Sequence, residues 1–449
     1  MSIPYITFKL AKNEKKSLKI IGQIRQFIRQ GADEVKYRQR PQDFTRDYIL
    51  TFTTTTTLIL SNLTNSLSVE LIRFFSKLKL DPQYMVTKSA FSQARKKVRP
   101  LFFSDLFEYV VKCAYKIIKV KRWRGFRLWA MDGSGLRLPD IEALGDLFGW
   151  HKNQHNRVPS ARLRGIYDVL NHLCVRIDLK SRHEDELTTA QDWVSDQPKD
   201  VLMIYDRGYF GFNLPWLHHH YGTHYLLRCP LGATRSIQAF LASHKKSQVV
   251  DFVAGDRSTR SMRKRNLPLH RYTKVTVRLI RVELGKDQPP EVLMTNLLDH
   301  RKYPTRLFKK LYFLRWGIET YWDRLKNIFA VGSFSGYSQT AIWQDLYATV
   351  IATNLQSILC ADCQKKLNQI NSNRYWNYQI NRNISAGLIK DYFVKLLLKS
   401  ESKIKRWLQE LLTLMLQNLE RIVPNQSRPR NFKIMDRKRH ETEKNYRRV

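Results

Sequence analysis

The sequence predicts an α/β fold: a mixed-sheet core carrying a mainly β insertion, flanked by a helical N-terminal domain and a helical C-terminal segment. Three observations predict it. The first hundred or so residues have helical texture, the pattern switches at Phe126 to period-two alternation and short apolar runs, and a helical stripe returns from residue 396.

In the N-terminal part, residues 15–29 form basic amphipathic patches, and SVELIRFFSKLKLDP closes on a proline stop. Residues 48–69 carry no charge over a length able to cross a bilayer. Their five consecutive threonines, 53–57, and the Ser and Asn that follow make a poor span and suit a buried helix of a soluble bundle, so no membrane role is expected. In VTKSAFSQARKKVRP, Thr87 can cap a helix that turns Phe91, Ala94 and Val98 inward and Lys88, Gln93, Arg95, Lys96 and Arg99 outward. That is the layout of a helix offered to a DNA groove, although a merely solvated basic helix has the same pattern.

Beyond Phe126, FRLWAMDGSGLRLPD alternates, and ARLRGIYDVLNHLCVRIDLKS makes two strands about a turn near Asn171. HEDELTTAQDWV is a helix, and VLMIY a short all-apolar strand that ends at Asp206. NLPWLHHHYG is a helix and HYLLRCP a strand. Three strands, helix, strand, helix, strand is the succession of a ribonuclease-H-like mixed sheet. The expected boundaries are a helical DNA-binding domain at 1–115, core at 116–230, the mainly β insertion at 231–299 and core again at 300–395. A helical segment follows at 396–427, with a basic tail at 428–449 that stays disordered until it meets phosphate. The stripe Ile404, Leu408, Leu411, Met415, Leu419, Ile422 suits packing or a second protomer.

Charge narrows the function. Lys and Arg number 78 against 39 Asp and Glu, a net +39. An excess of that size repels itself unless a polyanion neutralises it, which makes nucleic acid the first partner to consider and a membrane surface the second. Five scattered cysteines and a start without an apolar core fit reduced thiols in a cytosol, with no export signal. The CxxC of Cys360 and Cys363 has no second pair to complete a zinc site. His218, His219 and His220 are consecutive and read as a solvated face; His151 and His155 have metal-ligand spacing without the glutamate of a zinc hydrolase.

The chemistry concentrates in YFLRWGIETYWDRLK, residues 312–326. At about 100° per residue, Tyr312, Arg315, Glu319 and Lys326 fall within roughly 60° of arc. Arg315 and Glu319 could be an ordinary surface pair, but Phe313, Trp316, Ile318, Tyr321, Trp322, Leu325 and Ile328 cover so much of the helix that a packed setting is expected, and a charged stripe there needs a partner. Asp132 in MDGSG fits a hairpin turn or a site; Asp206 ends a buried strand, where open α/β sheets place ligands, or caps a helix. If the two strands are neighbours, Glu319 can descend between the aspartates. Three such carboxylates call for divalent cations, Mg²⁺ or Mn²⁺, two of which can serve phosphodiester chemistry. Arg315, Lys326 and the Tyr312 hydroxyl would then hold phosphate.

Tyr312, Arg315, Glu319 and Lys326 at this spacing resemble the Tyr-Arg-Glu-Lys signature of DDE transposases of bacterial insertion sequences, in the insertion-sequence-four type. MDGSG and YDRGYF resemble that family's segments around its first and second aspartates, and the resemblance covers most of the chain. It implies nicking of double-stranded DNA at terminal inverted repeats, then attack of the freed 3′ hydroxyl on target DNA, with Asp132, Asp206 and Glu319 holding two Mg²⁺. It also implies a homodimer pairing two ends, a hairpin intermediate, and a cytoplasmic, nucleoid-associated setting in a prokaryote. Arg207 is a candidate phosphate contact. Relatives that stack a flipped base on a tryptophan of the β insertion differ here, since none occurs between Trp216 and Trp316; Tyr272 and His270 are the aromatic candidates. A DNA-binding descendant that has lost cutting, and a nuclease of this fold that only hydrolyses, are the competing functions.

Overall fold

The computed structural model describes residues 14–46, 48–152, 157–285 and 288–423, so His155 and the basic tail lie outside the described residues. The chain divides into two compact units, Val120–Gly135 with Arg162–Trp322, and Met1–Lys119 with Leu136–Ala161 and Asp323–Val449.

The chain carries a mixed sheet, most of it within the first of these units. Its strands are β1 (Arg127–Arg137), β2 (Trp150–Lys152), β3 (Arg157–Asp168), β4 (Leu173–Ser181), β5 (Val201–Tyr205), β6 (His224–Cys229), β7 (Ser247–Val253), β8 (Lys274–Val282) and β9 (Glu291–Thr295). Among the described residues the order is β2-β3-β1-β5-β6-β9-β8-β7, with β4 paired to β3. β1, β5 and β6 are mutually parallel and every residue of β5 is buried, as the all-apolar VLMIY run requires of a strand covered on both faces. The helices Glu186–Trp193 and Asn213–His220 fall where the sequence places them.

The expected β insertion does not stand apart. β9 pairs antiparallel with β6, β8 with β9 and β7 with β8, so residues 247–295 extend the same sheet. The free edge of β6 explains this, because its unpaired backbone groups are satisfied by the next strand available. His218 also departs from expectation: it is fully buried, 3.0 Å from the Tyr205 hydroxyl and 2.7 Å from Thr223 Oγ1, and burial pushes its imidazole down to about 3. One of three consecutive histidines must face the core on this helix, and it stays neutral there.

The second unit is helical. Gln339–Ser372, 34 residues long, packs against Pro100–Ile117, Phe52–Leu60 and Arg382–Leu398. The threonine run lies in Phe52–Leu60, with Thr55, Thr56 and Thr57 buried and Thr51 capping the Thr54 N–H at 3.1 Å. No helix among the described residues is long and apolar enough to cross a membrane. Ile404, Leu408, Leu411 and Met415 are buried on Glu401–Gln417, so this stripe is spent on packing within the unit and is not offered to a second protomer; Leu419 and Ile422 lie past the helix, around the short strand Leu419–Arg421. All five cysteines are buried and unbridged.

Candidate active site

Parallel pairing aligns β1 with β5, Leu128 against Leu202 and Ala130 against Ile204. Continuing that offset by two residues sets Asp132 level with Asp206, on strands about 4.8 Å apart. Asp206 is the first residue past β5 and opens the 3₁₀ turn Arg207–Tyr209. Both aspartates thus lie just past the stretch over which β1 and β5 pair, and Arg207 is exposed beside the second.

Glu319 arrives on the helix Trp316–Asp323, which lies against β3 and the turn after it. Tyr321 stacks on Tyr167 with ring centroids 4.6 Å apart and planes at 18°. Trp322 covers Gly165, where a Cβ would lie 2.8 Å from its ring, and Gly317 sits over Val169, where a Cβ would lie 3.3 Å from a methyl carbon. The two glycines let the helix approach closely enough to lower Glu319 to the sheet. Gly165→Ala is accordingly expected to lift this helix, since a rigid indole cannot yield as a flexible side chain would. The expected result is loss of about 1–3 kcal/mol of stability with a larger fall in any activity that needs Glu319, read by unfolding and by DNA cutting on the same preparation.

The run from Tyr312 to Lys326 is not one continuous helix. Phe308–Phe313 ends, hydrogen bonds tighten to the i−3 pattern at Leu314 and Arg315, Trp316–Asp323 follows, and Arg324–Ile328 widens into a π-helical turn. Lys326 lies in that turn and belongs to the other unit. The break also turns Phe313 and Trp316 outward, 69% and 42% exposed, where their spacing on a regular helix predicts packing. Tyr321, Trp322, Ile318 and Leu325 are buried as expected.

Charge converges on Arg315. Its side chain is buried, and Nη2 donates to Glu319 Oε1 at 2.6 Å, while buried Nε has no hydrogen-bond partner. Burial alone would lower its pKa; Tyr312, the bond to Glu319 and the charge of Asp206 outweigh that and hold it raised. Asp132 is pushed up to about 6, first by burial and then by Glu186 and Glu319, against the opposing pull of Arg315 and a bond from the Gly133 N–H. Asp206 accepts from the Tyr312 hydroxyl at 3.2 Å and lies 4.0 Å from Arg228, which also bridges to Glu291 at 3.1 Å. Burial pushes the Tyr312 phenol up, so it stays a proton donor.

The structure therefore sets Asp132, Asp206, Glu319 and Tyr312 within electrostatic reach of Arg315. It pairs the Arg315 guanidinium with Glu319, within electrostatic reach of Asp132 and Asp206, where the sequence predicts a phosphate contact. Among the described residues no three His, Cys, Asp or Glu side chains are gathered closely enough to hold a metal ion. The donor set nevertheless fits a hard divalent cation: three carboxylates, one of them reluctant to ionise, lie near two guanidinium groups, Arg315 and Arg228, the second of which also pairs with Glu291. Arg228, Glu291 and Glu186 complete the surroundings. The only sequence signal for Arg228 is a charge inside the otherwise apolar strand HYLLRC.

In the helical unit, Thr87 caps Lys88–Lys96 at the Ala90 N–H, 3.1 Å, and Phe91, Ala94 and Val98 are buried as expected. Lys88, Gln93, Lys96 and Arg99 face solvent, but Arg95 does not. It is 4% exposed and bonds to Gln344 at 2.9 Å, Ser335 at 2.5 Å and Asp345 at 3.0 Å. This corrects its assignment to a DNA-facing surface. Position 95 belongs to the stripe 91, 94, 95, 98, so it faces inward and its charge is neutralised there. Arg95→Ala is expected to cost about 3 kcal/mol or more by stranding Asp345, while leaving the salt dependence of DNA binding unchanged. Lys96→Ala should instead leave stability alone and lower the log–log salt slope by about one. Thermal unfolding and binding titrations at several salt concentrations separate the two.

Comparison with known proteins meets this geometry. The family described as transposase DDE domain matches residues 123–355, just over half of the chain and all of the residues that converge on Arg315. The chain belongs to that family, and is a DDE transposase in that sense. A solved structure of a piggyBac transposase synaptic complex with hairpin DNA is 11% identical, with a TM-score of 0.41 over 93% of this chain and 87% of that one. No curated protein matches.

Proposed function

We propose that this chain is a DDE transposase of the insertion-sequence-four type, with a ribonuclease-H-like core, that cuts DNA at the terminal inverted repeats of a mobile element and joins the freed ends to target DNA. The observation that carries the reading is the convergence of Asp132, Asp206 and Glu319 on Arg315, within the span matched by the family. Asp132, Asp206 and Glu319 would hold two Mg²⁺ or Mn²⁺, which when bound supply charge stabilisation at the attacking and leaving oxygens of a phosphodiester.

The chain's own groups do the rest. Tyr312 donates to Asp206 and fixes the face that carboxylate presents. Arg315 orients Glu319 through Nη2. Lys326 and Arg207 are each assigned to a DNA phosphate, and Lys88, Gln93, Lys96 and Arg99 to duplex DNA, from the N-terminal part, residues 1–115. Tyr272, 67% exposed, and His270 are the aromatic groups of the β segment available to an unpaired base. A homodimer holds two ends together, in the cytoplasm of a prokaryote.

The test is incubation of purified protein, with Mg²⁺ or EDTA, on a plasmid carrying the gene's native flanking DNA. Metal-dependent nicks at discrete flanking sites, followed by joined products, support the proposal. Nicks without joining would indicate a nuclease, and binding without cutting a DNA-binding descendant.

A further inference from the structure

Glu186 lies in the first turn of Glu186–Trp193, with Asp185 capping that helix at the Thr188 N–H. Its carboxylate reaches back to the sheet and occupies the space beside Gly133: a Cβ on that glycine would lie 2.5 Å from Glu186 Oε1 and 2.9 Å from Cδ. Gly133 directly follows Asp132. Glu186 is also ion-paired to Arg162 on β3, and its charge is felt at Asp132 and at the buried Tyr209 hydroxyl, which has no hydrogen-bond partner. Helix start, arginine and glycine together leave this carboxylate little freedom.

We propose that Glu186 is a positioning residue of the active site: packed on Gly133 and braced by Arg162, it fixes the backbone that presents Asp132 and adds negative charge that strengthens the hold of the site on a divalent cation. The inference rests on the proposed transposase reading and deepens it. It assigns a reason to the first glycine of MDGSG, which is the absence of a Cβ where Glu186 must sit. A carboxylate packed on the backbone of a ligand-bearing strand acts through that strand, and loss of such a group commonly weakens metal affinity by about 10- to 100-fold.

The experiment measures Mn²⁺ binding to purified full-length protein by the decrease of the free-ion electron paramagnetic resonance signal, alongside cutting of flanking DNA over a range of Mg²⁺ concentrations. Glu186→Gln keeps shape and removes charge; Gly133→Ala keeps charge and displaces the carboxylate. Each is expected to weaken Mn²⁺ binding by about tenfold and to shift the Mg²⁺ dependence of cutting by a similar factor, with DNA affinity and unfolding midpoint unchanged. The double variant should be no worse than either single one, because both remove the same contact. Wild-type Mn²⁺ affinity in Glu186→Gln overturns this inference alone. Failure of the wild type itself to bind Mn²⁺ overturns the cation-dependent reading of the site, and this inference with it.

Discussion

Glu319→Gln is expected to reduce DNA cutting by about a thousandfold or more, which corresponds to about 4 kcal/mol of lost transition-state stabilisation, while DNA binding persists. The substitution is nearly isosteric, and the amide oxygen can still accept from Arg315 Nη2 where Oε1 now does. The helix is held by Tyr321 on Tyr167, Trp322 on Gly165 and Gly317 on Val169, none of which the change touches. What disappears is one of the three negative charges around Arg315, and with it an oxygen ligand of full charge. The control is affinity for the same flanking DNA in EDTA, which should match the wild type. If the variant cut at the wild-type rate in Mg²⁺, Glu319 would be no metal ligand and the assignment of this helix to the active site would fail.

The core is readable in the sequence to the extent that local patterns decide structure. The short apolar run VLMIY reads as a strand buried on both faces, and the alternation about Asp132 leaves that residue on a strand, so pattern alone places Asp206 at the end of one strand and Asp132 within another. It cannot place them side by side, because which strands pair is a property of the whole sheet. The same limit hides the merging of residues 247–295 into that sheet. Arg95 is a different case: its place in the stripe 91, 94, 95, 98 is visible, but its charge argues for solvent more loudly than the period argues for the core, and Gln344, Ser335 and Asp345 lie 249, 240 and 250 residues away in sequence. The spacing of Phe313 and Trp316 predicts a packed surface only if the helix is regular. A tightened turn at Leu314 and Arg315 rotates them out, and nothing in their spacing announces it.

The acid end of the site predicts a second large effect, opposite in sign for stability and for activity. Asp132 holds its proton up to about pH 6 in the folded chain, against 3.8 for the same group in the open, because burial, Glu186 and Glu319 disfavour its charge more than Arg315 favours it. The folded state therefore binds the proton more tightly than the unfolded state does. Stability from this group is fully present below about pH 4 and is lost as pH rises to 6, by roughly 3 kcal/mol, since each tenfold difference in proton affinity between the two states is worth about 1.4 kcal/mol. Above pH 6 the ionised carboxylate is a standing cost, of the kind enzymes retain where function needs a strained charge. Asp132→Asn removes the charge and keeps the shape. At pH 8 without divalent ions it should raise stability by about 2 kcal/mol and the unfolding midpoint by about 5 °C, while abolishing cutting; at pH 4 the gain should vanish. Mg²⁺ should stabilise the wild type at pH 8 and do little for the variant, since a cation relieves the repulsion that the substitution has already removed. Unfolding at pH 4, 6 and 8, with and without Mg²⁺, decides it: if Asp132→Asn were as destabilising at pH 8 as at pH 4, the carboxylate would not be a buried charge awaiting a cation, and the electrostatic account of the site would be wrong.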